Sequence, residues 1–330
     1  MSDSACTSND PLLSPSRLVG KGKEQEEEYD SNIEIERTPR TSNESDRIIL
    51  NIVDFVDNDG NFNINKNTEF CSELNDGSSF KSMIEFILAS TSNSTIDLYV
   101  TEDGMQFIGK DKIVGPQIIV KTDLRKDDML SHSYISDKTL YYTQLDLTIK
   151  QCISCVAKKN GLKIYKNADE DYIYLEITSG TSSSTNIGII KPPDVFKIIK
   201  PIIPEYGDEN DPTCKIPTSI FSARCNDASK GSHKTVTFTS YSSGCIDIAT
   251  GLVNDGVGTT GRFASFSEKA EDDEVISKVI IDKRILKSLS KITSMAPNGI
   301  IKIYMDPEMP LKILGNIGHY GQIRVYLGMM

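Results

Sequence analysis

The chain has 330 residues, with 36 Lys and Arg against 47 Asp and Glu, and a formal charge of −11. This length predicts about two ordinary domains of roughly 100 to 200 residues each. The acidic balance argues against a protein that coats DNA through bulk positive charge, because phosphate contacts require clustered Lys and Arg. No apolar run approaches the ~18 residues of a membrane span, and no secretory signal is visible, so neither a membrane protein nor a secreted one is expected. The seven cysteines are an odd number, which disfavours a disulfide framework and indicates a reducing compartment.

Residues 1–46 are rich in Ser, Thr, Pro and charge, and they lack apolar periodicity. Such a stretch cannot bury enough surface to offset the entropy of ordering it, so a disordered acidic tail is predicted. About half of the excess negative charge lies in this tail. Residues 47–68 become apolar and then contain the turn Asn58-Asp59-Gly60, which predicts a short hairpin extension.

A weak internal repeat follows, in which each copy combines an amphipathic helix with two alternating strands. The helices are predicted over residues 78–88, 147–157, 221–228 and 283–293. The strand pairs are predicted over 96–100 with 105–108, 162–165 with 172–177, 235–239 with 245–248, and 300–304 with 311–314. The pattern predicts an α+β fold of four βαβββ units, with the helices on one face of antiparallel sheets.

A proline-rich stretch divides the repeat into two pairs of units. Residues 192–212 are predicted to form an extended interdomain connector, because proline interrupts helices and central strands. The first domain is therefore expected over residues 69–191 and the second over residues 213–330.

Three motifs suggest chemistry, and none is supported by its surroundings. A GxGxxG at residues 256–261 is followed by an alternating strand rather than a helix, so a hairpin loop is favoured over a nucleotide site. The turn at residues 57–60 lacks the first and last ligands of a calcium loop. Cys152 and Cys155 form a CxxC without a second pair, and Cys152 belongs to an apolar helix stripe, which favours a core role. No catalytic residue, cofactor or metal is predicted.

The polar faces of the four predicted helices are poor in acid for so acidic a chain. Glu85 and Asp227 are the exceptions. The positions expected to face outward include Lys81, Ser82, Lys150, Gln151, Ser154, Lys158, Ser222, Arg224, Asn226, Lys230, Arg284, Lys287, Ser288 and Lys291. If the helices share one surface, a basic stripe results; a solvated face of mixed charge is the alternative.

Several segments, in this order along the chain, resemble the sliding clamps of the proliferating cell nuclear antigen (PCNA) family. They are Gly77-Ser78-Ser79-Phe80-Lys81, residues 97–107, Ile202-Ile203-Pro204-Glu205, Met309-Pro310-Leu311-Lys312-Ile313 and residues 321–328. The resemblance covers roughly residues 70–330. It implies a DNA-clamp fold and a ring, usually of three subunits, whose helices line a hole around duplex DNA.

The resemblance also implies three groups of functional residues. The DNA-facing residues would be Lys81, Lys150, Arg224, Lys287 and Lys291, with Lys158, Lys159 and Lys230 at the helix ends. The subunit interface would pair the strand of Ile187, Ile189 and Ile190 with the strand of Arg262, Phe263 and Phe266. A pocket for client peptides would be lined by Val114, Ile118, Ile202, Ile203, Pro310, Tyr326, Gly328 and Met329.

The function implied by the resemblance is that of a non-enzymatic DNA polymerase processivity factor. Its expected partners are duplex DNA bound without sequence preference, a DNA polymerase, other replication and repair proteins with clamp-binding motifs, and a clamp loader. A homotrimer in the nucleus, or in a cytoplasmic replication factory for a viral protein, is expected. Two alternatives stay open: a subunit of a hetero-oligomeric checkpoint-type clamp, and a clamp-fold transcription or interaction adaptor that does not encircle DNA.

Overall fold

The computed structural model describes residues 68–91, 95–111, 118–135, 139–179, 185–193, 203, 206, 211–230, 234–250 and 272–328. These ranges all belong to one compact unit, residues 56–330. The predicted acidic tail, residues 47–67 of the predicted hairpin extension, the GxGxxG and the strand at 262–266 lie outside the described residues. So do Val114, Ile202, Arg262, Phe263, Phe266 and Met329.

Four helices and sixteen strands are described. The helices are α1 (Gly77–Ser90), α2 (Thr148–Cys152), α3 (Thr218–Ser229) and α4 (Arg284–Leu289). The strands of the first half are β1 (Thr68–Leu74), β2 (Ile96–Thr101), β3 (Gly104–Lys110), β4 (Ile118–Arg125), β5 (Ser131–Tyr134), β6 (Tyr141–Leu145), β7 (Asn160–Asn167), β8 (Ile173–Ser179) and β9 (Thr185–Ile190). Those of the second half are β10 (Cys214–Pro217), β11 (Thr235–Tyr241), β12 (Ile246–Thr250), β13 (Val275–Asp282), β14 (Ile300–Tyr304), β15 (Leu311–Ile317) and β16 (Gly321–Leu327).

The described strands form three antiparallel sheets. One has the order β5-β1-β7-β8-β9, the second β10-β14-β15-β16-β4-β3-β2-β6, and the third β12-β11-β13. Each helix follows one strand and precedes a hairpin, so the predicted α+β fold of helix-and-hairpin units is confirmed. The second sheet contains strands from both halves of the chain, because β4 pairs with β16. The domain boundaries stay a prediction.

The helices cover one face of the sheets and share a single core with them. Phe80 on α1 packs edge-on against Phe107 on β3, with ring centroids 5.5 Å apart. The predicted stripe of α3 is confirmed, since Phe221, Cys225 and Ala228 are fully buried. Burial of such side chains is the main favourable term in folding, and here it fixes which face of each helix points away from the sheets.

The second and fourth helices are shorter than predicted. α2 continues into the 3-10 turn Ile153–Cys155 and α4 into the 3-10 turn Ser290–Ser294. In these turns serine hydroxyls donate back to carbonyls three residues earlier, from Ser154 to Gln151 at 2.7 Å and from Ser294 to Lys291 at 2.6 Å. Serine competes in this way with regular helical bonding, which the apolar periodicity alone does not reveal.

Candidate nucleic-acid interface and peptide cleft

The four helices lie in one row, in the order α2, α1, α4, α3. Three side-chain bonds to backbone carbonyls join the neighbours. Lys81 on α1 donates to the turn after α2, Ser288 on α4 donates to Ala89 on α1, and Ser222 on α3 donates to Ser290 after α4. The helices therefore present their remaining polar side chains on one continuous surface, as the basic-stripe interpretation requires.

Most of the predicted DNA-facing residues are exposed on this helical surface. They are Lys150, Lys158, Lys159, Arg224, Lys230, Lys287 and Lys291. Lys230 forms an ion pair with Asp227, with Nζ 3.0 Å from the carboxylate, so part of its charge is balanced locally. Exposed acids on the same helices are few, since Glu85 and Asp227 are those that the described helices carry at exposed positions. The surface is thus net basic although the whole chain is acidic.

Lys81 differs from the other predicted DNA-facing residues because it is half-buried. Its Nζ donates to the carbonyl oxygen of Ser154 at 2.7 Å and to that of Val156 at 3.3 Å. These carbonyls belong to the end of α2 and the residues after it, where helical bonding stops and leaves acceptors open. Lys81 therefore joins two helices and offers less of its charge to a ligand than Lys150 or Lys287.

The outward position predicted for Ser288 is wrong. Its side chain is buried, with 6% of its surface exposed, and its hydroxyl donates to the Ala89 carbonyl at 3.0 Å. The reason is the neighbouring helix: α1 covers the side of α4 that a single amphipathic helix would expose to solvent.

A cleft of about 920 Å³ opens between β13 and the ends of β4 and β16. Three residues of the predicted client pocket line it, namely Ile118, Pro310 and Gly328. Its floor and walls also include Val279, Ile280, Ile281, Ile285, Met309 and Leu327, with Lys278, Asp282 and Glu308 among the polar residues. The cleft is open, mostly aliphatic and edged by charges, as expected of a site for a short apolar segment.

Two backbone features keep this cleft open. Gly328 has a positive φ of 79°, and a Cβ there would lie 2.9 Å from Cγ1 of Val279, so a larger residue would fill the floor. On the opposite side, Glu308 has φ of 64° in a turn that returns the Met309 N–H to the Asp306 carbonyl. This turn directs Met309 and Pro310 into the cleft.

Tyr326 and Ile203 do not line this cleft. Tyr326 pairs with Ile119 on β4, and both belong to a cluster on the sheet face opposite the helices, where Ile203 and Tyr206 of the connector pack. Ile118, one residue earlier, pairs with Leu327 and packs against the core. Since side chains alternate along a strand, Ile118 and Tyr326 point to opposite faces of the sheet. The predicted set of pocket residues is thus divided between two surfaces.

Lys312 lies beside the connector residues on that opposite face. It is 3% exposed, and its Nζ is 4.7 Å from the ring centroid of Tyr304 and 5.2 Å from that of Tyr206. A cation over aromatic faces is attracted by the negative ring centre. The contact holds Tyr206 against the sheet.

The predicted interface residues of the first domain lie on β9, the edge strand of its sheet. Ile187 and Ile189 are half-buried and pack in a cluster with Tyr165, Tyr172 and Tyr174. Ile190 faces the other way and is buried in the core with 1% exposure. Side-chain contacts with a partner strand would therefore come from Ile187 and Ile189, while Ile190 would contribute only backbone hydrogen bonds.

The sequence interpretation missed the contribution of β13 to the cleft. The signal was present, because residues 275–281 contain five β-branched aliphatic residues just before the fourth helix. Three of these, Val275, Ile276 and Ile280, are about half exposed. Among the described strands β13 lies at the edge of its sheet, so these exposed aliphatic residues make it a candidate binding surface.

No family model and no curated protein matches the sequence. Among solved structures, the chain is similar to the PCNA2-PCNA3 complex from Sulfolobus tokodaii, with a TM-score of 0.58 and 13% sequence identity. The match covers 78% of this chain and 98% of the other. The chain has the fold of a PCNA-type clamp. The clamp fold expected from the resemblance is thereby confirmed.

Within the part of the chain that the structure describes, no helix is long and apolar enough to cross a membrane. Nor do the described residues bring together three His, Cys, Asp or Glu side chains that would hold a metal ion. The six described cysteines are free thiols.

Proposed function

We propose that this protein is a subunit of a ring-shaped sliding clamp that encircles duplex DNA and acts as a DNA polymerase processivity factor. The observation that carries the proposal is the row of four helices with an exposed basic surface, in a chain with the PCNA-type fold. In a ring these surfaces face the hole. The protein acts as a scaffold and needs no catalytic group.

The distribution of charge supports sliding rather than tight binding. Six exposed cations of the helices and the turns that follow them have no side-chain partner among the described residues; they are Lys150, Lys158, Lys159, Arg224, Lys287 and Lys291. Cations at this density contact phosphates without reading base edges, which allows movement along the duplex. Residence on DNA then comes from encirclement, while the acidic remainder of the chain disfavours binding to the outside.

Ring closure would use β9, whose outer edge is unpaired among the described strands. An unpaired edge favours strand addition, and pairing with the strand of another subunit satisfies its backbone groups. The homotrimer is the first candidate. The second is a hetero-oligomeric clamp, which the similarity to a complex of two different PCNA subunits supports. Light scattering on the purified chain distinguishes them, because only the homotrimer assembles without another protein.

The aliphatic cleft is proposed as the site for client peptides of the polymerase and other DNA-processing proteins. Its floor of Ile118, Ile285 and Leu327 suits an aliphatic anchor, and the exposed Ile280 at its wall offers an additional apolar contact. Neither Tyr326 nor Ile203 is required to contact the peptide in this arrangement.

Topological retention on DNA tests the proposal. The protein is incubated with a linear biotinylated duplex, streptavidin is added to block both ends, and the complex is washed with high salt. A ring that has threaded onto the duplex is retained when the ends are blocked and lost when they are open. Equal loss from both DNAs would contradict encirclement and favour the clamp-fold adaptor. Negative-stain images of the same sample give a control for ring formation.

A further inference from the structure

The CxxC pair lies where α2 tightens into a 3-10 turn, with Cys152 as the last residue of the helix and Cys155 as the last residue of the turn. Residues three apart have Cα atoms about 5 Å apart in an α-helix and about 6 Å apart in a 3-10 helix. Both values lie within the ~4.4 to 6.8 Å that a disulfide spans. The backbone therefore permits a bond between these cysteines without a large movement.

The two thiols differ in their hydrogen-bond partners and in their exposure. The Cys155 thiol donates to the carbonyl oxygen of Cys152, with Sγ 3.7 Å from that oxygen, so it folds back along the turn. Cys155 is exposed, whereas Cys152 is half-buried with its Sγ 3.8 Å from the Ile189 carbonyl oxygen on β9. Burial is the main cause that raises the pKa of the Cys152 thiol, and the nearby Cys155 and Asp146 raise it further. Cys155 is thus the thiol that solvent reagents reach first.

Three lysines lie close to the turn that carries the exposed thiol. The Lys81 ammonium lies 2.7 Å from the carbonyl oxygen of Ser154, the residue before Cys155. Lys158 and Lys159 follow closely and are exposed. Positive charge around this turn attracts anionic reagents.

We propose that Cys152 and Cys155 form a reactive dithiol site for anionic low-molecular-mass disulfides such as oxidised glutathione. Cys155 loses its proton to water, and the resulting thiolate attacks one sulfur of the disulfide, which forms a mixed disulfide and releases one glutathione thiolate. Cys152 then loses its proton to water and attacks Cys155 Sγ, which forms the Cys152–Cys155 bond and releases the second glutathione. The two protein thiols are oxidised, and one glutathione disulfide is reduced to two thiols.

The site is coupled to the edge strand. Cys152 contacts the Ile189 carbonyl, and Gly188 packs so closely that an added Cβ would lie 2.6 Å from Cys152 Cβ. Bonding to Cys155 takes the Cys152 sulfur away from this carbonyl. β9 then loses a contact that holds it to α2, so its backbone opens more often.

The reaction is tested on the full-length protein in glutathione redox buffers, followed by rapid alkylation and peptide mass spectrometry. In the wild type, the peptide containing both cysteines is expected to lose the mass of two hydrogens and to resist alkylation. Cys152→Ser should stop at the mixed disulfide on Cys155, and Cys155→Ser should not react at this site. The fully buried Cys225 serves as an internal control and stays reduced.

Accumulation of the mixed disulfide without closure in the wild type, or no reaction at Cys155, would overturn the proposal. Hydrogen exchange of β9 amides tests the coupling, with an expected increase of several-fold in the oxidised wild type and none in Cys155→Ser. Closure without any change in β9 exchange would refute the coupling. Because the masses are read on the single chain, these outcomes do not depend on ring formation.

Discussion

Reversing two charges of the helical surface should weaken the salt dependence of DNA binding. Lys287 on α4 and Lys291 one turn later are both exposed, and neither has a side-chain partner among the described residues. Both side chains are on the exposed surface of the helix row, so the same duplex can contact both cations. The variant Lys287→Glu with Lys291→Glu removes both contacts from each subunit.

The magnitude follows from counterion release. Each phosphate that a cation neutralises contributes about 0.9 to the slope of log K against log salt concentration. Loss of two contacts therefore lowers the slope by about 1.8 for each subunit that engages the duplex. Fluorescence anisotropy measures the slope directly, with a labelled duplex of about 30 base pairs across a potassium chloride series.

A matched variant separates local contact from net charge. Lys215→Glu with Lys278→Glu changes the chain's charge by the same amount, but these lysines lie exposed on strands β10 and β13. This control should leave the slope almost unchanged. If both variants lower the slope equally, or if the helix variant leaves it intact, the assignment of the helical surface to DNA is refuted.

Four further predictions concern stability and the cleft. Lys81→Met should lower the free energy of unfolding by about 1 to 3 kcal/mol, because two charge-assisted hydrogen bonds are lost. It should change the salt dependence of DNA binding less than Lys287→Glu with Lys291→Glu does. Gly188→Ala should destabilise by about 1 to 3 kcal/mol through overpacking, measured by urea unfolding. Burial raises the pKa of Glu176; the charge of Lys163 opposes this shift and that of Glu73 adds to it. The stability that Glu176 contributes is therefore present at low pH and is lost as the pH rises through its pKa in the folded protein. Glu176→Gln should therefore stabilise the protein at neutral pH, with a difference that shrinks as the pH falls towards 4.5 in a pH series of thermal melts. Ile280→Asp should weaken binding of a labelled peptide with an aliphatic anchor by about tenfold or more, because an apolar contact is lost and the bound peptide would cover the new charge, measured by fluorescence polarisation.

Each of these has a result that would contradict it. A Lys81→Met variant as stable as the wild type but with a lower DNA salt slope would return Lys81 to the DNA-facing set. Wild-type stability of Gly188→Ala would mean that α2 does not press on β9. A difference between Glu176→Gln and the wild type that stays constant with pH would exclude titration as its cause. For the cleft, the control is Val275→Asp, because Val275 is on the same strand but does not line the cleft. If Val275→Asp and Ile280→Asp weaken peptide binding equally, a specific site in the cleft is excluded.

The helices and their buried faces were predictable because periodicity near 3.6 residues survives even in a weak repeat. α3 illustrates this, since its thin stripe of Phe221, Cys225 and Ala228 is fully buried as expected. What the periodicity could not indicate was the tightening of α2 and α4, which depends on local serine bonding, or the burial of Ser288, which depends on the neighbouring helix.

The pocket residues show a different limit. Assigning Ile118 and Tyr326 to one surface requires the pairing register of β4 and β16, and a difference of one residue moves a side chain to the opposite face. Sequence alone does not fix that register. The exposed edge of β13 was missed for a related reason: a short run of β-branched residues indicates a strand, but only the tertiary structure shows which sheet edge it occupies.

The pairing of β4 with β16 has a mechanical consequence. The two strands are hydrogen-bonded along residues 118–124 and 321–327, so the two halves of the chain share one stiff antiparallel sheet. Pulling the halves apart would require shearing that whole ladder at once. An edge strand such as β9 can be peeled away one bond at a time. Any ring built from this subunit should therefore yield at the seams between subunits, each subunit remaining a rigid arc while the ring opens.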